Sequence, residues 1–330
     1  MITKIGKEEF IDECAALIRN GEIVAFPTET VYGLGGDAFN ENAVKKIYEA
    51  KNRPSDNPFI VHVPSIDDVE KAAFLTDEAR IIFEKFSPGP LTIVLKKKDT
   101  VPYCVTAGLD TVGIRIPSHP MAREFLRKCG TPVAAPSANL SKKVSPTTAE
   151  RVFEDMNGRI PAILDGGACD VGIESTVLSL AGDEPVILRP GAVTIEMLTP
   201  YLPKVKNFSG KVTVAPSPGM KYTHYSPIVP CVLFSSVKNA AEEFEKRENE
   251  GKNPVVLALE TTCERIKNEK ETVRCVSLGK TAEEFATNIF ESLRKYEKTN
   301  GYIIVEALEG DGIEFGIMNR LIKSSHGVIV

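Results

Sequence analysis

Two short pairs of polar residues could together bind an anion such as a nucleotide phosphate. Lys51 and Arg53 form a K-x-R pair at the polar end of a predicted helix, and Ser137 and Asn139 form an S-x-N pair after a predicted strand. In strand geometry, residues two apart point to the same side, and phosphate oxygens need cations and hydroxyl or amide donors. Each pair alone is a weak signal, and composition alone favours a surface loop with solvated cations. The sequence has no Walker A loop, so it does not indicate a P-loop ATPase.

Arg115 and His62 are charged or titratable residues inside predicted apolar strands. An arginine in such a strand needs a carboxylate or phosphate partner. A ligand and a structural ion pair are equally reasonable partners for Arg115. A lone histidine in such a place is more often a satisfied core residue than a ligand.

Three more polar residues could contact a small substrate. Ser175 and Thr176 follow Glu174 and could bind a polar ligand or simply begin a strand. Arg189 ends a strand before Pro-Gly and could reach an adenine, a phosphate or only water. Covalent catalysis is not indicated, because Ser137 lacks a G-x-S-x-G elbow and the cysteines have no evident histidine partner in sequence.

The elements that must position these residues follow from hydrophobic periodicity. An amphipathic helix is predicted over 7–20, and Gly21 would cap it. The Tyr-Gly-Leu-Gly-Gly stretch from Tyr32 is expected to form a tight turn or to let a ligand approach the backbone. Pro54 would stop the next helix, and Lys96–Lys98 would be the solvated end of a strand. Further helices are predicted at 42–51, 65–86, 120–129, from 147 onward and at 281–296. Strands are predicted at 23–26, 59–63, 91–95, 111–116, 132–136, 160–164, 174–180, 185–188, 231–235, 254–259, 273–278 and 301–305.

Three regions are expected in the 330 residues. Residues 1–206 mix strands and helices without strict alternation, which predicts an α/β domain with a twisted, mixed open sheet. Residues 207–230 interleave prolines and glycines with lysine, tyrosines and a histidine, and are interpreted as an extended linker. Residues 231–330 alternate strand and helix and predict a small parallel α/β sheet. This last part has no G-x-G-x-x-G sequence, so a dinucleotide site is not indicated.

Composition and charge limit the classes of function. The sequence has 23 basic and 28 acidic residues up to position 205, and 17 of each beyond it. A strongly basic balance, as in a dedicated nucleic-acid binder, is therefore absent. The sequence has no long apolar run and no apolar core of a signal peptide at its N-terminus. Its seven scattered cysteines are expected to be reduced, mostly buried thiols of a cytoplasmic protein.

The motifs, taken together, resemble those of a known family. PTETVYGLG, KNRPSDNP, GIRIP, APSANLS, ESTV and RPG occur in this order and closely resemble the YrdC-type threonylcarbamoyl-adenylate synthases. The PGMKYTHYSP linker and the α/β domain after it resemble the long, two-domain form, whose second domain is Rossmann-like. The resemblance covers essentially the whole chain and is weaker beyond Pro230.

This resemblance implies an activity and its site. L-threonine, bicarbonate and ATP would give threonylcarbamoyl-AMP and pyrophosphate, for a downstream transferase that modifies tRNA beside the anticodon. Mg²⁺ would enter with the ATP phosphates, and Lys51 and Arg53 would be catalytic by stabilising the leaving pyrophosphate. The resemblance places ATP at Lys51, Arg53, Asn57, Thr111, Ser137, Asn139, Ser145, Arg189 and the linker residue Tyr225. It places threonine at Thr30, His62, Arg115, Ala135 and Ser175. It also suggests that the linker 207–230 crosses the mouth of the nucleotide cleft, and we expect it to act as a lid in which Tyr225 and His224 contact ATP.

Two alternatives belong to other classes. An RNA-binding module would use a basic concave surface to hold double-stranded RNA or tRNA, but the net negative charge of residues 1–205 argues against this as the main role. Carbamoyl transfer, as in the YrdC-like part of hydrogenase maturation proteins, ranks lower because the acylphosphatase-like and zinc-finger regions of those proteins have no counterpart in this sequence.

Overall fold

The computed structural model describes residues 2–209 and 225–330. They form two compact units, one made of residues 2–141 and 145–209, the other of 142–144 and 225–330. Each unit has its own hydrophobic core. The predicted linker falls largely outside the described residues, so the predicted boundaries at 206 and 231 stay a prediction.

The first unit is a mixed sheet with helices packed on it. Its strands are β1 (Lys4–Gly6), β2 (Val24–Phe26), β3 (Gly33–Asp37), β4 (Ile60–His62), β5 (Leu91–Lys96), β6 (Thr111–Arg115), β7 (Val133–Ala135), β8 (Ala162–Leu164), β9 (Thr176–Ser179), β10 (Val186–Arg189) and β11 (Lys206–Asn207). Its helices are α1 (Ile11–Arg19), α2 (Glu41–Lys51), α3 (Asp77–Phe86), α4 (Tyr103–Thr106), α5 (Pro120–Cys129), α6 (Ala149–Met156) and α7 (Ile195–Leu198), with 3₁₀ turns at Glu8–Phe10 and Ile66–Lys71.

The strand order is β1-β8-β2-β3-β7-β4-β6-β5-β9-β10-β11. Parallel pairs (β1/β8, β2/β8, β4/β6, β5/β9, β10/β11) and antiparallel pairs (β2/β3, β3/β7, β4/β7, β5/β6, β9/β10) are equally frequent. The predicted mixed α/β sheet is therefore confirmed.

The two faces of the sheet centre differ in character, because side chains alternate along a strand. Val61, Ile93 and Ile114 point into the large core of this unit. Their neighbours His62 and Arg115 point to the opposite face. These two residues give the second face of the sheet a polar character, so this face can hold a polar site.

The glycines of β3 do not form a tight turn, which was one of the two predicted alternatives, while the other, a close approach by a ligand, stays a prediction. Gly33, Gly35 and Gly36 lie inside the strand, and a Cβ on Gly35 would lie 2.6 Å from Val133 Cγ1 and 2.9 Å from the Phe26 ring. The glycines are needed because neighbouring side chains pack directly on the backbone. The chain reverses earlier, between the end of β2 and the start of β3.

Helix α2 begins and ends with specific caps. The Asn40 side chain accepts hydrogen bonds from the backbone N–H groups of Asn42 and Ala43. The helix ends at Lys51 because Asn52 adopts a left-handed conformation with φ of 51°. Pro54 lies two residues farther on, so Asn52, and not the predicted Pro54, terminates the helix.

The second unit contains a four-stranded, fully parallel sheet, as predicted for this region. Its strands are β12 (Cys231–Phe234), β13 (Pro254–Ala258), β14 (Cys275–Ser277) and β15 (Tyr302–Glu306), in the order β12-β15-β13-β14. Its helices are α8 (Val237–Asn249), α9 (Glu260–Glu269), α10 (Ala282–Tyr296) and α11 (Ile313–Ser324).

The prediction on the cysteines is wrong for one pair. Cys263 and Cys275 form a disulfide that joins α9 to β14, whereas all the cysteines were expected to be reduced. Cys14, Cys104, Cys129, Cys169 and Cys231 are free thiols. Sequence spacing gave no sign of the pair because β13, α9 and β14 must fold before the two sulfurs meet.

Lys97 is also not the solvated residue that was predicted. It is buried, donates from Nζ to Val101 O at 3.0 Å, and lies 4.2 Å from the centroid of the Tyr103 ring. Its long stem follows apolar surface while the ammonium group finds an oxygen and an aromatic face.

Within residues 2–209 and 225–330, no helix has both the length and the apolar character needed to cross a bilayer.

Candidate active site

A row of polar side chains crosses three neighbouring strands on the second face of the first unit's sheet, opposite the large core. His62 of β4 lies opposite Arg115 of β6, and Arg115 lies opposite Thr92 of β5. Because residues paired in register share a face, the three side chains lie side by side. All three are buried. The strand pairing therefore creates a polar row that no single segment of sequence contains.

Arg115 forms a buried ion pair with Glu29. Arg115 Nη2 lies 2.8 Å from Glu29 Oε1, and their side chains are 4% and 5% exposed. The contact is close, but its angles are not those of a hydrogen bond: Glu29 Oε1 and Arg115 Nη2 and Nε have no hydrogen-bond partner among the described residues. We therefore treat the contact as an ion pair whose donors and acceptor are still available to a ligand. From the sequence, either a structural ion pair or a ligand could be the partner of Arg115. The structure shows the ion pair with Glu29.

Glu29 is held in place from the other side. Its Oε2 accepts the backbone N–H of Ser118 at 3.1 Å, and its carbonyl oxygen accepts the N–H of Val171 at 2.7 Å. Sequence reasoning did not assign Glu29 to the site. The available signal was an acidic residue in the hydroxyl cluster after β2, together with a mid-strand arginine that needed a partner.

His62 is a neutral imidazole in this site. Burial, with a smaller contribution from the positive charge of Arg115, lowers the pKa of His62 to about 3. The ring packs edge-on against Phe26, with 5.7 Å between centroids, and Nδ1 has no hydrogen-bond partner in the described part of the chain. His62 can therefore offer a ligand a hydrogen bond without adding charge.

Thr30 belongs to a tight turn between β2 and β3. Thr28 Oγ1 accepts the N–H groups of Thr30 and Val31 and donates to Val31 O at 2.6 Å. The hydroxyls of Thr28 and Thr30 are 2.9 Å apart. Thr30 is fully buried, so the turn presents a fixed hydroxyl beside Glu29.

Ser175 and Arg189 are joined directly. Arg189 donates from Nε to Ser175 O at 3.1 Å and from Nη2 to Ser175 Oγ at 3.2 Å. The hydroxyls of Ser175 and Thr92 are 2.8 Å apart. Arg189 thereby connects to the row of Arg115 through Ser175 and Thr92. Thr92 is a further residue that sequence reasoning did not assign.

Lys51 ties the S-x-N loop to the end of α2. Its Nζ donates to Ser137 O at 2.5 Å and to Asn139 O at 2.6 Å. Lys51 is 1% exposed, and burial together with the nearby Arg53 holds its pKa well below the usual value, while Asp155 acts in the opposite direction. An ammonium group has three donors, so two position the loop and one is left for a further acceptor.

The S-x-N loop is also ordered by its own side chains. Ser137 Oγ donates to Asn139 Oδ1 at 2.6 Å, and Asn139 Nδ2 donates to Leu140 O at 2.8 Å. Farther along, Ser145 Oγ donates to Glu174 Oε1 at 2.6 Å. Because Glu174 directly precedes Ser175, this bond connects the S-x-N region to the Arg189 network.

Arg53 and Asn57 lie in the loop after α2. Arg53 Nη2 donates to Asn57 O at 3.3 Å, and its guanidinium lies 5.5 Å from the centroid of the Phe59 ring. Asn57 is 1% exposed, yet neither Oδ1 nor Nδ2 has a hydrogen-bond partner in residues 2–209 and 225–330. A buried amide left open on both sides is costly unless a ligand satisfies it.

Ala135 and Thr111 line the same face of the sheet. Ala135 of β7 lies opposite Ile60, and Ile60 lies opposite Gly113. Thr111 is two residues before Gly113 and therefore shares its face. A Cβ on Gly113 would lie 3.0 Å from Thr92 Cγ2. Glycine at this position therefore leaves space beside the Thr92 side chain.

Tyr225 belongs to the second unit. Its ring stacks on Phe290 with 5.5 Å between centroids and an angle of 16°, and its carbonyl oxygen accepts the hydroxyl of Ser324 at 2.7 Å. It is 5% exposed. The neighbouring His224, which the linker hypothesis also named, lies outside the described residues. The role of Tyr225 in ATP binding stays a prediction.

The described residues contain no cluster of three or more histidine, cysteine, aspartate or glutamate side chains that could hold a metal ion. Near Lys51 and Arg53, the amide Oδ1 of Asn57 is a buried oxygen without a hydrogen-bond partner in the described part of the chain. A hard cation such as Mg²⁺ accepts such an oxygen when other ligands complete its shell.

Family models match both units of the chain. Residues 16–191 match the Sua5/YciO/YrdC model, which is described as "Telomere recombination". Residues 193–326 match a model described as "Threonylcarbamoyl-AMP synthase, C-terminal domain".

Individual relatives match over nearly the whole chain. A threonylcarbamoyl-AMP synthase of Bacillus subtilis (strain 168) is 44% identical, covering 97% of this chain and 94% of the relative. One from Pyrococcus abyssi (strain GE5 / Orsay) is 41% identical, covering 94% and 92%. The crystal structure of P. abyssi Sua5 complexed with L-threonine has a TM-score of 0.93 and 39% identity, and the match covers 99% of each chain.

Proposed function

The chain belongs to the Sua5/YciO/YrdC family, and from this premise we propose that it synthesises threonylcarbamoyl-AMP from ATP, L-threonine and bicarbonate on the face of the first unit's sheet that carries the polar row. The structural observation that carries this proposal is the buried Arg115, whose Nε and Nη2 have no hydrogen-bond partner among the described residues. A buried guanidinium with open donors suits a carboxylate ligand.

Threonine is assigned to the polar row and the turn beside it. Arg115 binds its carboxylate, neutral His62 and the hydroxyls of Thr30 and Ser175 contact its polar groups, and Ala135 leaves room for its methyl group. The family assignment by motif supports these roles, and so does the adjacency of His62 and Arg115 across β4 and β6.

ATP is assigned to the residues around the S-x-N loop and to Thr111, Ser145, Arg189 and Tyr225. Lys51 and Arg53 lie at and just after the end of α2, where they can meet phosphate oxygens, and the open amide of Asn57 suits an oxygen ligand or the cation that accompanies the phosphates. Ser137 and Asn139 are held in one geometry by Lys51, so the loop is ordered before a nucleotide binds.

The chemistry needs positioning rather than a protein nucleophile. The amine of threonine attacks bicarbonate and water leaves, which gives a carbamate. An oxygen of the carbamate then attacks the α-phosphorus of ATP while pyrophosphate leaves. Carbamate is unstable in water, so the enclosed face must hold the reactants together and exclude solvent. Lys51 and Arg53 stabilise the charge that develops on the leaving group.

Mg²⁺ fits this arrangement as a companion of the ATP phosphates. When bound, it neutralises phosphate charge and favours departure of pyrophosphate. The open oxygen of Asn57, close in sequence to Lys51 and Arg53, could complete its ligand shell.

Partners and location follow from the proposed product. A transferase that carries the threonylcarbamoyl group to tRNA would consume it, which places the reaction in the cytoplasm. Weak direct RNA binding stays a prediction. The relatives reported above are named as synthases, so an RNA-binding module is not favoured as the main function.

The decisive experiment measures pyrophosphate release from ATP, with threonine and bicarbonate each omitted in turn. We expect release to depend on both. Release that continues unchanged without threonine would refute the proposed function. A gel shift with tRNA at physiological salt, run in parallel, tests direct RNA binding.

A further inference from the structure

Glu29 makes the charge of the amino-acid site different from that of an ordinary carboxylate site. An isolated buried arginine would attract any carboxylate, because a buried unpaired charge is unfavourable. Here the Glu29 carboxylate lies 2.8 Å from the guanidinium and is equally buried, so the pair carries no net charge.

The groups beside the pair do not change this balance. His62 is neutral, and Thr30, Thr92 and Ser175 are hydroxyl side chains. Arg189 is nearby and donates to Ser175, and its positive charge is offset by the negative charge of the buried Glu174, the residue directly before Ser175. Cys169, close to both Glu29 and Arg115, stays a neutral thiol because burial raises its pKa.

A ligand must therefore preserve neutrality when it enters. A monocarboxylate would leave one uncompensated negative charge in a buried place, which is strongly unfavourable. An amino acid brings an ammonium group along with its carboxylate and leaves the total at zero. Glu29 Oε1 and Arg115 Nε and Nη2 are an open acceptor and open donors in contact with one another, which matches the two charged groups on the α-carbon of an amino acid.

We propose that Glu29 is a specificity residue that makes this site select an amino-acid zwitterion, its carboxylate facing the α-ammonium group while Arg115 binds the α-carboxylate. The inference rests on the proposed function and adds a residue and a selection rule to it.

The first experiment uses the full-length chain and three ligands that differ in charge. Isothermal titration compares L-threonine, 3-hydroxybutyrate, which lacks the ammonium group, and threoninamide, which lacks the carboxylate. We expect both single-charge ligands to bind at least about tenfold more weakly than threonine, the scale of one lost charge-assisted hydrogen bond. Binding of 3-hydroxybutyrate as tight as that of threonine would overturn the proposal.

The second experiment uses Glu29→Gln, which keeps the shape of the side chain and removes its charge. We expect the variant to bind threonine about tenfold or more weakly and to bind 3-hydroxybutyrate more tightly than the wild type does. A lower affinity for threonine together with a higher affinity for 3-hydroxybutyrate would show that the charge of Glu29 selects the ligand. If both ligands weaken together, Glu29 only supports the fold of the site and the proposal is wrong.

Two controls separate the possible failures. Glu243→Gln removes a buried glutamate whose Oε1 lies 2.7 Å from Arg247 Nε in the second unit, and it should leave all three affinities unchanged. The ATP affinity of Glu29→Gln should also match that of the wild type. If the wild type binds no threonine at all, the proposed function itself has failed. Should Glu29→Gln not fold, the three-ligand comparison on the wild type still decides the question.

Discussion

At the scale of the residue, the site depends on side chains whose ionisation is changed by burial. His62 and Lys51 both have lowered pKa values because the protein disfavours a buried positive charge. Arg115 has the carboxylate of Glu29 beside it. The site therefore contains a neutral imidazole, a guanidinium paired with a carboxylate, and a lysine that donates to backbone oxygens. Each arrangement lowers the free-energy cost of burying a positive charge.

His62 gives a pH prediction. Its pKa is about 3 in the folded protein and 6.5 as an ordinary value, so the unfolded chain binds a proton first as the pH falls. The stabilisation is complete above pH 6.5 and is lost as the pH falls toward 3. We expect the free energy of unfolding to decrease below pH 6.5 with a contribution approaching ~1.4 kcal/mol per pH unit from this group.

Denaturant unfolding of wild type and His62→Gln between pH 5 and 8 isolates this contribution. The difference in unfolding free energy between the two proteins should change below pH 6.5 and stay constant above it. A constant difference over the whole range would show that His62 becomes protonated in the folded state as easily as in the unfolded chain.

Arg53 gives a kinetic prediction. Arg53→Ala should keep the fold, because the side chain is only partly buried, and should reduce turnover by the loss of a charge-assisted phosphate contact, about 1.5–3 kcal/mol. The assay is pyrophosphate release at varied ATP. Lys45→Ala removes an exposed cation of the preceding helix α2 that is paired with Glu49 and is the matched control. Equal activity of the two variants would remove Arg53 from the site.

At the scale of the element, the site depends on strand register. His62 meets Arg115, and Arg115 meets Thr92, only in the observed pairing of β4, β6 and β5. A shift of one residue in β6 would turn Arg115 into the large core and Ile114 to the site. The apolar residues next to His62, Thr92 and Arg115 along each strand therefore fix the strand register and, with it, the position of the polar row.

Strand β3 gives a packing prediction. Gly35→Ala should destabilise the protein by about 1–3 kcal/mol, since the new Cβ would overlap Val133 and Phe26. Gly182→Ala is the control, because a Cβ there meets no atom within 4 Å. Thermal unfolding compares the two variants. Equal melting temperatures would mean that β3 can move away from its neighbours without loss.

At the scale of the whole molecule, the chain contains two units with separate cores and different sheets. The first unit holds the polar row and the S-x-N loop, and the second has a parallel sheet whose α9 and β14 are joined by the disulfide. Each unit matches a family model of its own. The whole chain, rather than the first unit alone, therefore corresponds to the long form of the family.

The disulfide gives a prediction for the whole molecule. Denaturation without reductant should expose five alkylatable thiols, and prior reduction should expose all seven cysteines. Mass spectrometry after alkylation counts them, and Cys263 and Cys275 should be the protected pair. Cys263→Ser would raise the count without reductant to six if Cys275 is released, and seven thiols in the unreduced wild type would contradict the pair.

The sequence by itself determined the positions of most strands and helices, though not of β1, β3 and β11, and it also determined the mixed character of the first sheet and the parallel character of the second. Hydrophobic periodicity and caps are local properties, which is why α5 begins and ends where predicted, at Pro120 and Cys129. The motifs also identified the family, because a motif is a local string of residues. Among single features, Gly21 was correctly predicted to end α1 and has the positive φ of 75° that this position requires.

Only the tertiary structure decided which residues meet. Glu29 and Arg115, and likewise Cys263 and Cys275, come from separate elements, and no local pattern encodes the register that brings each pair together. The glycine-rich sequence of β3 is typical of a turn, yet it forms a strand. Glycine is needed there because Phe26 and Val133 occupy the space that a side chain at Gly35 would fill. The physical reason is common to all three cases: contacts between distant segments are selected by the packing of the whole core, and this packing is complete only in the folded chain.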